Sequence, residues 1–520
     1  MVPISTDGLK AALLAKFAPP PWEEDSPARV AIDSTLAQDH TARVIDRVIQ
    51  DIDLQPLLDS YSGRGRKAYR PDLLLAVVLF EMYSGRQSPS QWADDLRHHN
   101  PVRWLARGLC PCLSVLYEFR DRLAPFVETW HQQVVAAISD LRPEVADTTT
   151  LDGTTLEANA SRHKMAHLDT VEKHLQQLEQ AEKAIAENPP VAENPPAPQQ
   201  PEWMAKTSAG REQQSERHQH AKERLEEMLE RNHRRPKDKR LPDKQVRVSI
   251  TDPEAASGRD KHGVYRPLYN VQLVWSLMAP VILAFGVFSQ AGDHGMLPNM
   301  MERLTRQAGR RPKKVLADSA YTSADDLAYC AKHDIDLYGP WQENDFTKDR
   351  PAVKSPAQIP KAQFAYDGER DMYRCPENHD MPFEEYKYKR RADGMNTRSK
   401  VYRCPAEHCK ACPLAATCAK LPNKGRTIQR HPQQELIDKH VERMGTAEAK
   451  DQYRQRGQGE RPFADLKTHR GLHRLNGRGL TRAKTQTALA VLQHNLQQLD
   501  SLKKTGNTGE PSPSTCKIPA

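Results

Sequence analysis

The chain has no long hydrophobic run. Its most apolar segment, residues 273–288, is interrupted by Ser276 and Pro280 and is too short to span a bilayer, so no membrane partner is expected. The N-terminus lacks a basic stretch followed by an apolar run, and no secretory leader is expected. Aromatic residues are scarce, at 6%. Strong charge of one sign is also missing. A net charge of +8 with 28% charged residues is a mild basic excess, compatible with a polyanionic partner without specifying one. The cysteines number nine, and five of them fall between Cys375 and Cys418. That clustering argues against a disulfide framework and for a metal site in a reducing compartment. A cytoplasmic protein is expected.

What is present is a chain of 520 residues with 39 prolines, enough for two to four domains joined by many loops. Residues 1–140 read as an all-helical N-terminal domain. The run from Pro71 to Tyr83 is strongly apolar with proline in its first turn, Ser88 starts a second helix, and Leu113–Leu123 forms a third. Arginines on their exposed faces suit a DNA-reading module. From Asp147 to Leu156 the chain becomes Thr-rich and β-prone. Apolar residues at three-four spacing (Leu168, Val171, Leu175, Leu178; then Ala221, Leu225, Met228) flank a proline-rich linker, Asn188–Pro201. They predict a helical hairpin inserted over 163–245.

Strands resume at Val264–Trp275 and Val281–Phe288, followed by a helix from Met296, a strand Lys314–Ala317 ending at Asp318, a helix from Ser323 and a strand at Ile335–Gly339. This order predicts an α/β ribonuclease H-like catalytic core over 145–340. An insertion is expected over 341–450, C-terminal helices of the core over 451–500, and a disordered tail over 501–520.

The segment from Asp451 to Lys484 holds nine Lys or Arg against three acids, Asp451, Glu460 and Asp465. A lone carboxylate among cations can hold a metal ion while its neighbours hold phosphates, which points to phosphodiester chemistry on nucleic acid. Two upstream acids are its candidate partners: Asp152 on the first strand and Asp318 at the end of a later one. Two divalent ions about 4 Å apart can activate a hydroxyl and stabilise the leaving oxygen of an in-line displacement. Mg²⁺ (or Mn²⁺) needs only a few hard oxygen ligands from the protein. Tyr453, Arg456, Glu460 and Lys467 fall within an arc of about 60° if they share one helix. Gly457, Gly459 and Pro462 argue against an unbroken helix, and a helix starting near Pro462 is the alternative. Of the other acids, Asp252 reads as a turn residue, Asp293 as a helix N-cap, and neither they nor Asp326 are expected to bind metal. His163, His262 and His294 read as structural.

Cys404, Cys409, Cys412 and Cys418 form a second constellation. Four thiols within fifteen residues, two of them in Cys-x2-Cys spacing, match tetrahedral Zn²⁺ in a closed structural site. Cys375 and His408 are possible substitutes, so the zinc-binding segment is set at 375–418. Cys110, Cys112, Cys330 and Cys516 are scattered and expected to be unliganded.

The Tyr453, Arg456, Glu460, Lys467 spacing resembles the Tyr-Arg-Glu-Lys signature of DDE transposases from bacterial insertion sequences. Leu151-Asp152-Gly153-Thr154 resembles that family's first-aspartate motif. Leu316 to Tyr321 resembles its second, with Tyr three residues after the aspartate. Tyr269-Asn270-Val271-Gln272 resembles the intervening strand, and Arg478-Gly479-Leu480 and Asn495-Leu496 its C-terminal end. Tyr69–Leu123 resembles the preceding helical domain, and related transposases carry a Cys-rich insertion at this place. The resemblance spans roughly 40–500. It implies Mg²⁺-dependent cleavage of DNA at terminal inverted repeats and joining to target DNA. Asp152, Asp318 and Glu460 would be catalytic ligands, and Tyr453, Arg456, Lys467, Arg470, Arg474 and Arg478 would contact DNA. A homodimer on DNA and association with the bacterial nucleoid are also implied. Two alternatives stay open: a domesticated, inactive DNA-binding protein, and a nuclease of the same fold that hydrolyses without joining.

Overall fold

The computed structural model describes residues 16–187, 201–235, 237, 240–260, 262–341, 359, 361–390, 396–419 and 421–506; the side chains of Arg390, Glu460, Thr505 and Gly506 are excepted. The proline-rich linker up to residue 200, Cys516 and the tail beyond 506 lie outside these residues. The N-terminal region is helical: α1 (Pro27–Asp33), α2 (Thr41–Val48), α3 (Gln55–Asp59), α4 (Pro71–Tyr83), α5 (Pro89–His98), α6 (Asn100–Leu105), α7 (Leu113–Arg122) and α8 (Val127–Leu141). Pro71 opens α4, which is apolar all round and accordingly buried on nearly every side. Ser88 and Gln91 make a capping box at α5.

The sheet region begins with β1 (Thr148–Glu157). After β2 (Met165–Ala166) come the paired helices α9 (Leu168–Glu187) and α10 (Ser208–His233), then β3 (Val248–Ser249), which pairs with β2 and closes the excursion. Then follow β4 (Ala256–Arg259), β5 (Tyr265–Ser276), β6 (Ile282–Phe288), α11 (Met296–Ala308), β7 (Lys314–Ala317), α12 (Ala324–Lys332) and β8 (Asp336–Tyr338). The main sheet runs β4-β5-β1-β7-β8, with β6 also on β5. β5 is antiparallel to β1 and β6, whereas β1, β7 and β8 are mutually parallel neighbours. From Leu268 to Ser276, β5 is buried on both faces, which explains its continuous rather than alternating apolar pattern. This mixed sheet with its helical N-terminal region fits a ribonuclease H-like core.

The later region contains two small sheets: β9 (Ala365–Asp367), β10 (Met372–Arg374) and β11 (Asp380–Met381), then β12 (Phe383–Arg390), β13 (Asn396–Arg403) and, after α13 (Ala406–Ala411) and α14 (Ala415–Cys418), β14 (Thr427–Arg430). The chain returns through α15 (Gln434–Gly445), α16 (Ala447–Arg454), a 3-10 turn (Gln455–Glu460), α17 (Arg461–Thr468) and α18 (Leu480–Gly506).

One hydrophobic core runs from Ile32 in α1 through α4, α8 and the main sheet to Leu499 in α18. The N-terminal helices therefore share a core with the sheet instead of packing separately on either side of residue 140. The hairpin has its own small core around Val171, Ala221 and Leu225, and the Cys-rich region another around Tyr373, Tyr402 and Ile428. Two expectations are corrected. The insertion does not extend to 450 as a separate unit: α15 is docked on the main sheet, with His440 Nε2 2.8 Å from the Gly339 carbonyl and Arg443 2.9 Å from Asp336. The tail is not disordered from 501, because α18 continues to Gly506. No described helix is long and apolar enough to cross a membrane.

Candidate active site

Register places the first two acids together. β1 and β7 are parallel neighbours with Leu151 paired to Ala317, so Asp152, next on β1, lies beside Asp318, the first residue after β7. Adjacent strands are about 4.8 Å apart. Asp152 Oδ1 accepts the Gly153 amide at 2.8 Å, and its Oδ2 lies 3.3 Å from Arg456 Nη2. Burial pushes the Asp152 carboxyl above the usual carboxylate range. The charges of Asp318 and Asp293 add to the rise, while Arg456 and the Gly153 amide oppose it. Asp318 leaves β7 extended and caps the next turn, accepting the Ala320 amide at 2.8 Å. That turn buries Tyr321, whose hydroxyl donates to Gln272 Oε1 at 2.6 Å.

Asp293 is the residue that sequence reasoning misplaced. It is not a helix N-cap: Gly295, at φ 76°, fills that position of α11. The Asp293 carboxylate instead accepts from Asn270 Nδ2 at 2.7 Å and Gln272 Nε2 at 2.6 Å. Gly153 permits this approach, since a side chain there would overlap Asp293 and the Gln272 amide. The signal available in the sequence was two amides, Asn270 and Gln272, inside an apolar strand; both are buried. Asp252 is also more than a turn residue. It accepts the Tyr269 hydroxyl at 2.6 Å and the Gly479 amide at 3.2 Å, tying β5 to the start of α18. Asp326 belongs to the capping box of α12.

The basic signature is not one helix. Tyr453 lies in the last turn of α16, Arg456 lies in the 3-10 turn, and Lys467 is in the last turn of α17. The single-face arc therefore fails, while the alternative start near Pro462 agrees with α17 beginning at Arg461. The turn nevertheless reaches β1. Gly459 packs so closely on the Thr150 hydroxyl that a side chain would overlap it, and Arg456 pairs with Asp152. Burial raises the half-buried Tyr453 phenol; the charges of Asp318 and Asp152 add to the rise and Arg456 opposes it. The Glu460 side chain lies outside the described residues, although its backbone belongs to this turn. Among the described residues, no group of three or more His, Cys, Asp or Glu is arranged to hold a metal ion.

Arg470 is a correction. It is 5% exposed, bonded to Asp465 at 2.6 Å and Gln497 at 3.2 Å, and paired with Gln493. Three of its five N–H donors are engaged inside the protein, so it is a buried structural contact here and not the exposed cation expected of a DNA-binding residue. Arg474 and Arg478 are exposed, and Lys467 is half-buried.

The expected zinc ligands Cys404, Cys409, Cys412 and Cys418 line one cavity of about 20 Å³, joined by Cys375 and His408. That volume suits one water-sized occupant. Backbone amides point at two of the sulfurs: Arg426 N lies 3.4 Å from Cys409 Sγ and His379 N 3.3 Å from Cys375 Sγ. Burial pushes the Cys404 and Cys418 thiols upward; neighbouring thiols add to the rise. Thiols crowded in this way are costly to ionise without a cation among them, although as placed these residues form no ready-made set of three or more metal ligands.

A family model described as "Transposase DDE domain" matches residues 374–500, and one described as "Transposase domain (DUF772)" matches residues 30–122. Both are described as transposase domains, and they support transposase function in general. More particularly, the two matches support an insertion-sequence DDE transposase. The stretch bearing Asp152 and Asp318 lies between the matched segments. No curated protein and no solved structure matches the chain.

Proposed function

We propose that this transposase cuts DNA at the ends of its own mobile element and joins the freed 3′-hydroxyls to target DNA. The observation that carries the proposal is the matching register of Asp152 and Asp318, with the Arg456 turn folded back onto β1. Asp152, Asp318 and Glu460 would hold Mg²⁺ or Mn²⁺, which when bound supplies activation of the attacking hydroxyl and charge stabilisation at phosphorus. Arg456 already neutralises Asp152, so it is positioned to exchange partners and take a phosphate once the acids are otherwise compensated. Tyr453, Lys467, Arg474 and Arg478 would orient the DNA backbone, and the protein would act as a dimer, read from the mass of its DNA complex.

The test uses purified protein and element-end DNA with Mg²⁺. Asp152→Asn should abolish nicking while leaving DNA binding intact; nicking at the wild-type rate would remove Asp152 from the mechanism. Pre-cleaved ends then distinguish transfer from hydrolysis, because a nuclease yields no joined product.

The Cys404, Cys409, Cys412 and Cys418 cluster, with Cys375 beside it, would hold one structural Zn²⁺. The purified chain should carry one zinc by elemental analysis, and chelation should unfold β9–β14 before the main sheet. A metal-free chain of unchanged stability would refute it.

A further inference from the structure

We propose that the ribbon formed by β12 and β13 is a stacking platform for an unpaired DNA strand. This rests on the transposase reading for the identity of its ligand. β12 is an edge strand, and every residue from Phe383 to Lys389 is exposed. Its register with β13 shifts between Phe383 and Glu385. That irregularity decides which side chains share a face. Phe383 pairs with Tyr402, Tyr386 with Lys400, and Tyr388 with Arg398, so all three β12 rings fall on one face with both cations.

The rings are not consumed by a core. Phe383 and Tyr386 are each 39% exposed and Tyr388 is 60% exposed. They form a row: Phe383 packs on Tyr386 at 4.9 Å, and Arg398 lies over the Tyr386 ring at 4.1 Å. Lys400 is partly neutralised by Asp371 at 2.7 Å. At the base of the row, Tyr402 is buried and its hydroxyl donates to the same Asp371, which fixes the ribbon on the small core below.

Three exposed rings on an edge strand are a liability for a protein alone in water. Interleaved with cations, they suit a ligand that presents flat apolar faces joined by negative charge. Unpaired nucleic acid is that ligand: bases stack on the rings, and Arg398 and Lys400 meet the backbone. Tyr386 and Tyr388 are two residues apart, about 6.7 Å along the strand, a stride that splayed bases can follow. Paired bases would hide their faces from such a row. Cleavage and joining would create unpaired strands, which supplies a reason for the platform in this protein.

The experiment titrates full-length protein into short fluorescein-labelled oligo-dT, and into duplex DNA of the same length and ionic strength. Tyr386→Ala with Tyr388→Ala should weaken oligo-dT binding by about tenfold or more. The double Tyr→Phe variant should retain it, because stacking needs the ring and not the hydroxyl. Duplex binding should change by far less. Circular dichroism checks that the exposed substitutions leave the fold intact. Unchanged oligo-dT affinity in the double alanine variant, or equal losses for duplex and single strand, would overturn the proposal. Asp152→Asn should bind oligo-dT normally. Failure of that variant to lose nicking therefore counts against the catalytic assignment alone, and loss of the tyrosine effect counts against the platform alone.

Discussion

A methyl group added at Gly459 would collide with the Thr150 hydroxyl on β1. The 3-10 turn that carries Arg456 and Glu460 would have to lift away from the sheet. Overpacking of this kind costs about 1–3 kcal/mol in a well-packed region, but a displacement of about 1 Å in a reacting group can cost roughly 100-fold in rate. Gly459→Ala is therefore expected to lose nicking activity by tenfold or more while its melting temperature moves little. Nicking kinetics beside thermal melts check this, and equal activity would separate the turn from the chemistry. The residue scale also explains what could be read in advance. Asp152 was legible because it sits within a β-prone, Thr-rich run, and Asp318 because it follows a short apolar strand, where ligands gather. Asp293 was not, because a carboxylate before a helix reads as a cap unless the φ of the following Gly295 is known. Arg470 was not, because a count of cations cannot see Asp465, Gln493 and Gln497 closing around one of them.

Whole elements were legible where a period was long. The twelve residues of β5 and the thirteen of α4 announce themselves by apolar continuity. The strands β9, β10, β11 and β14, each of two to four residues, do not, because their stability comes from the Cys-lined core and not from pattern. α4 also hides an exception to its apolar reading. Glu81 is fully buried, with Arg86 Nε 3.5 Å away and Asp95 bonded to the same arginine. Burial, with the Asp95 charge, pushes its carboxyl up to about 8 from 4.5, against the pull of Arg86. The folded state thus holds a proton that the unfolded chain releases above 4.5. This contribution is fully present below about 4.5 and is lost as pH rises through about 8. Stability should fall across that window by a slope on the order of 1 kcal/mol per pH unit. Glu81→Gln, which keeps the shape without the charge, should flatten the decline and melt higher than wild type at pH above 8. Denaturant titrations at stepped pH measure the slope, and an identical slope in both proteins would exclude Glu81 as its source.

At the scale of the molecule, the unexpected feature is a single core shared by the N-terminal helices, the sheet and α18. The sequence suggested a boundary near residue 140 because composition changes there, but composition does not report which faces meet. Ile282 shows how they meet. Its strand, β6, is bonded to β5 on one side, and Asn495 of α18 serves the other. Asn495 Nδ2 donates to the Ile282 carbonyl at 2.7 Å, and its Oδ1 accepts the Ile282 amide at 3.0 Å. His131 of α8 adds Nε2 at 3.0 Å to the same carbonyl, and burial holds that imidazole neutral, down to about 4. One side-chain amide thus completes a sheet edge at the point where three regions of the chain converge. Asn495→Ala would strand a buried N–H and weaken the carbonyl's bonding, at about 1–3 kcal/mol for each group left unsatisfied. Because the core is continuous, the loss should not stay local. Hydrogen exchange should show α8, β6 and α18 losing protection together, while the hairpin α9–α10 and the strands β9–β14, which have their own cores, keep theirs. Loss confined to α18 would instead mean that the N-terminal helices fold as an independent unit.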